Sequence, residues 1–97
     1  MYVKPQKYDP DTYGKVIEVW ESMNGDLYFV TDIEEGSERF GFVRLYSMPQ
    51  FAEWGYFDMA HLRESYNGQI WKVPERNWKN VNTYEDELLM KVSRFIR

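Results

Sequence analysis

The residues of this chain that could do covalent or proton-transfer chemistry are few: one histidine, no cysteine and scattered serines. His61 has no second histidine with which to build a proton-relay pair, and no serine lies in a nucleophile-elbow setting or beside an evident base. Asp58, His61 and Glu64 fall three apart, and on a helix that spacing could bring two metal ligands together. Asp58, however, stands directly before Met59-Ala60-His61-Leu62-Arg63-Glu64, where a carboxylate accepts from the free amides of a first helical turn. We read it as a cap and assign no metal ligand. No glycine-rich phosphate loop occurs either, so the chain is expected to be no enzyme and to carry no cofactor.

Two short runs suggest binding instead. Glu38-Arg39-Phe40-Gly41-Phe42-Val43-Arg44-Leu45 overlaps the signature of RNA-recognition motifs, in which exposed rings stack on bases, and it matches at the four central positions Phe40 to Val43. That fold needs a helix between its first two strands, for which this chain has no room, so these rings are expected in a packed core. Trp54-Gly55-Tyr56-Phe57 resembles the glycine-tyrosine-phenylalanine element of domains that bind proline-rich peptides, although the spacing of Met48 and Trp54 differs from theirs. A groove for an extended peptide at these aromatic strands is kept as one alternative.

Composition sets the frame for these runs. Aromatics are 19 % of the 97 residues, enough buried ring area to exclude a disordered chain, and the length suits one domain. Absence of cysteine removes disulfides and thiolate metal sites and is compatible with a reducing cytoplasm, the expected location. The apolar runs are too short for a membrane span, and nothing resembles a signal peptide. Residues 1–64 hold twelve Asp/Glu against six Lys/Arg, whereas residues 65–97 hold four against six. The first two-thirds are therefore acidic and suited to a basic partner.

The elements that would position these groups read as an α+β fold. Residues 1–14, with Pro5 and Pro10, form an extended arm. Tyr13, Val16, Ile17 and Trp20 recur at helical spacing, but β-branched residues and the following Asn24-Gly25 favour a strand and hairpin, which we choose. Leu27 to Ile33 returns, Glu34-Glu35-Gly36-Ser37 is a polar loop, and strands from Arg39 and Ala52 complete a four-strand antiparallel meander. The strand from Arg39 sets Phe40 and Phe42 on one side and Gly41, Val43 and Leu45 on the other, so both its faces are apolar and it belongs inside a covered sheet. Gly55, between Trp54 and Tyr56, suggests a bulge or a ring lying over the backbone. A short helix over 59–65 ends at Gly68, and Gln69 to Val73 could add a fifth strand, so the sheet spans 15–73. Thr83 and Asp86 resemble a capping box for a C-terminal helix over 84–96, whose stripe of Leu88, Leu89, Val92, Phe95 and Ile96 is expected to pack on the sheet.

With that order in view, Tyr28-Phe29-Val30-Thr31, Phe40-Gly41-Phe42-Val43, Glu53-Trp54-Gly55-Tyr56-Phe57 with Leu62, and Val73-Pro74-Glu75-Arg76-Asn77 together resemble a family of small bacterial and mobile-element proteins classed as a domain of unknown function. The likeness covers about residues 15 to 80, with Trp54 in place of the family's leucine. It implies an aromatic strand pair running into a short helix and supplies no activity.

The expectation drawn from these readings is a non-catalytic protein-interaction module, with an accessory or inhibitor protein of mobile-element type, acting on host nucleic-acid machinery through an acidic surface, as its expected form. Its candidate surface is Glu34, Glu35, Glu38 and Glu53. The alternative is a single-stranded nucleic-acid binder using Arg39, Arg44, Lys72, Arg76 and Lys79 around Trp71 or Trp78. Self-association is the remaining class.

Overall fold

The computed structural model describes residues 15–48 and 52–80. The predicted arm over 1–14 and the predicted helix over 84–96 lie outside these residues. Within them the chain forms β1 (Glu18–Ser22), β2 (Leu27–Ile33), β3 (Glu38–Arg44), β4 (Glu53–Asp58), α1 (Met59–Ser65) and β5 (Ile70–Lys72), followed by a 3-10 turn over Glu75–Asn80. All strand pairs are antiparallel, and the sheet order is β4-β3-β2-β1-β5. The first four strands are the expected meander. The fifth does not extend it past β4; it crosses to the opposite edge and pairs with β1. Among the described residues no helix is long and apolar enough to cross a membrane.

Alternation along the strands sorts the side chains onto two faces. Val19, Leu27, Phe29 and Phe42 gather on one with Ala52, Val73 and Trp78; Trp20, Tyr28 and Val30 gather on the other with Met59 and Ile70. We call these the Phe29 face and the Val30 face. β2 is buried on both, with Phe29 and Val30 each at 0 % exposure. The strand from Arg39 behaves as expected: Phe42 joins the Phe29 face, while Val43 and Leu45 pack against the Val30 face.

α1 covers the Val30 face because its start is fixed by Asp58. The carboxylate of Asp58 accepts from the amides of Ala60 (2.9 Å) and His61 (3.2 Å), as the sequence predicts. The helix then lays Met59 and Leu62 on the sheet, with Tyr66 at its end. Tyr66 donates its hydroxyl proton to Asp26 Oδ2 at 2.6 Å, and the hydroxyls of Tyr28 and Tyr66 meet at 2.7 Å. The backbone amide of Tyr46 reaches the other Asp26 oxygen at 2.8 Å, so one buried carboxylate ties the β1–β2 turn to the helix end and to the exit of β3. On the Phe29 face the indole of Trp78 donates to the Val73 carbonyl at 3.0 Å, which locks the 3-10 turn onto the core.

Geometry demands glycine at Gly41 and Gly25 but not at Gly55. Its register is regular, and nothing lies within 4 Å of where its Cβ would be. The irregularity sits in β2 between Val30 and Asp32, and the close approach is at Gly41. A Cβ there would fall 1.9 Å from the Phe29 carbonyl oxygen and 2.9 Å from Val30 Cα, both backbone atoms of β2. Gly25 carries the β1–β2 turn at φ 88°, with the Tyr46 ring at 3.4 Å from its Cβ position. Gly41→Ala should therefore force β3 away from β2 and cost about 3 kcal/mol in urea unfolding, whereas Gly55→Ala should be close to neutral.

Candidate functional site

The β2–β3 hairpin gathers carboxylates because its loop is short and its flanking strand ends are acidic. Glu34, Glu35 and Glu38 are all exposed there, and Asp32 and Asp58 join them. The Glu34 amide donates to the Glu38 carbonyl at 3.0 Å, which sets these two residues across from one another; Glu38 in turn is the partner of Asp58 in β4. Two residues along, Asp32 pairs with Phe40 and Phe40 with Tyr56. The sheet end thus presents an acidic row, Glu34, Glu38 and Asp58, beside a row of Asp32, Phe40 and Tyr56.

Like charges in cross-strand register repel. A side-chain hydrogen bond with Asp32, followed by the charges of Asp32 and Glu38, pushes the Glu34 carboxyl above its ordinary value. Asp58 moves the other way: the Ser37 hydroxyl at 2.8 Å and the amides of the helix start hold it below the usual range. Sequence spacing alone joined Glu53 to this group, but the structure separates it. Glu53 begins β4 opposite Val43, at the far end of the sheet from the hairpin and on the other side of the strand from Glu38's partner, Asp58.

The aromatic row is held edge-on. Phe40 and Tyr56 rings lie 4.9 Å apart at 64°, Phe40 stacks on Trp54 at 6.1 Å and 16°, and Phe42 meets Trp54 at 5.2 Å. Tyr56 is 67 % exposed, while Trp54 and Phe40 are half-buried. Of the two rings a peptide groove would use, Tyr56 faces solvent and Trp54 does so in part.

The basic set is dispersed. Arg39 donates Nε to Glu18 at 2.9 Å and Nη1 to the Gly36 carbonyl at 2.9 Å, and its side chain is 14 % exposed. Lys72 also reaches Glu18, at 3.4 Å. Trp78 is buried in the core, so it offers no stacking platform. Arg44 lies over the Tyr46 ring at 5.5 Å; Leu27 and Glu21 stand between it and Trp71 in the same cross-sheet row. Trp71 and Arg76 are exposed, and the side chain of Lys79 lies outside the description. Among the described residues no group of three His, Cys, Asp or Glu side chains could hold a metal ion.

Glu18, which takes two of these cations, is 7 % exposed. Burial alone would raise its pKa, but the Trp20 indole at 3.1 Å, Arg39 and Lys72 outweigh it and hold the carboxyl below its ordinary value. Sequence reading missed this residue, since an acid between Ile17 and Val19 in a strand gives no sign of its partners on β3 and β5. A depressed carboxyl stabilises the fold above its unfolded pKa, and that stability is lost as pH falls through the folded value. Glu18→Gln leaves Arg39 without its counter-charge; it should cost roughly 2–3 kcal/mol at pH 7 and flatten the loss of stability expected as pH falls below the ordinary glutamate range, read by denaturant midpoints across pH.

Compared with known proteins, the chain matches no family model, no curated protein and no solved structure.

Proposed function

We propose that this chain is a non-catalytic protein-interaction module that meets a positively charged surface of another protein with the acidic hairpin end of its sheet. The observation that carries the reading is the register of Glu34, Glu38 and Asp58, which sets like charges directly across from one another on exposed strand ends. Such an arrangement works against the folded state, and a cationic partner offsets it. The arginine nearest to it in sequence, Arg39, is already engaged by Glu18. Basic grooves that hold nucleic acid have the charge this surface suits, in keeping with an accessory or inhibitor protein acting on such machinery.

The nucleic-acid alternative has less to stand on, because Arg39 is engaged and Trp78 buried, leaving Trp71, Arg44 and Arg76 dispersed. It requires tryptophan quenching by a single-stranded oligonucleotide that fades as salt rises, and that result would displace the interaction reading.

Replacing both Glu34 and Glu38 by glutamine should raise the thermal midpoint at pH 7, since the repulsion is removed. The raised Glu34 pKa gives the sign: its unfavourable contribution is present at neutral pH and relieved as pH falls and the carboxyl protonates. The same double variant should lose salt-sensitive binding to a cationic peptide. A variant that is less stable than the parent and binds the peptide equally well would reject the assignment.

A further inference from the structure

We infer that the group this surface takes from its partner is a guanidinium: an arginine side chain laid on the exposed ring of Tyr56 with its charged end at Glu38. This rests on the acidic-surface reading above and adds the identity of the cation. Tyr56 and Glu38 belong to adjacent rows of the sheet, the Phe40–Tyr56 pair and the Glu38–Asp58 pair, and strand rise separates such rows by about 7 Å on one side. A flat cation resting on the ring therefore has a carboxylate within reach of its edge.

The ring is braced for this. Phe40 holds it edge-on at 4.9 Å, and two-thirds of the residue's surface faces solvent. Asp58 spends Oδ1 on Ser37 and the helix amides, so it supplies field while the forked contact falls to Glu38. A guanidinium is planar, weakly hydrated and forked, and it stacks on an aromatic face while donating in its own plane to a carboxylate. An ammonium satisfies the carboxylate as a point charge and gains less from the ring. A second copy of this chain is the wrong occupant, because apposing two such ends brings Glu34, Glu38 and Asp58 against their own kind.

Fluorescence anisotropy of the full chain with a labelled arginine nonapeptide and a lysine nonapeptide tests the inference at low salt. The arginine peptide should bind tighter. Tyr56→Ala should weaken it by about three- to fivefold and the lysine peptide by clearly less, while Tyr56→Phe, which keeps the ring, should retain binding. Changing Glu34 and Glu38 together to glutamine should weaken both peptides alike. Equal binding of the two peptides, or a Tyr56→Ala loss equal in both, overturns the guanidinium assignment and leaves the acidic surface standing. Failure of both peptides to bind overturns the two together.

Discussion

Phe29 and Val30 are neighbours in the chain, point to opposite sides of one strand, and are both sealed from water. That double burial is the constraint on which the other elements depend. A strand buried on both sides needs a layer on each, and burying two such side chains contributes on the order of 4 kcal/mol. On the Val30 side the layer is α1, with Met59 and Leu62; on the other, Ala52, Val73 and Trp78 are among the groups that close over Phe29. The missing side chain of Gly41 lets β3 come close enough to β2 to make the seal. Most of the described aromatic side chains are thereby consumed in packing, and the exposed rings of Tyr56, Tyr46 and Trp71 stand out among them.

Two carboxylate environments follow from the same sheet. Glu18 is buried between strands and is held ionised by an indole, a guanidinium and an ammonium, which offset the cost of removing it from water. Glu34 and Glu38 sit at the water-facing end of a hairpin with like charge across from them. The first arrangement is satisfied within the fold. The second has no salt bridge to a cation among the described residues, and it is there that the proposed contact with a partner is placed.

Much of the fold was legible because it follows local rules. Asn24-Gly25 marked the first turn, Asp58 marked the start of α1, and alternation placed Phe42 and Val43 on opposite faces. What sequence could not show was partnership. Gln69 to Val73 reads as a strand but does not say which edge it joins, and the choice of β1 depends on α1 carrying the chain across the sheet. Glu53 looked like a companion of Glu38 until register put it at the other end of β4, and Asp32, hidden in an apolar strand, proved to be Glu34's nearest acid. Arg39 and Trp78 looked available because their partners, Glu18 and the Val73 carbonyl, are fixed by tertiary contacts.

The placement of β5 also bears on how the molecule assembles. β1 to β4 join through turns between neighbours, whereas the Met23 amide bonds the Gln69 carbonyl and the Val73 amide the Val19 carbonyl across some fifty residues of chain. Loop-closure entropy makes that seam late to form, and three residues of ladder make it thin. It is the place where the sheet would open first, so backbone amides along β5 should exchange with solvent sooner than those of β2, at the edge of the sheet opposite β4.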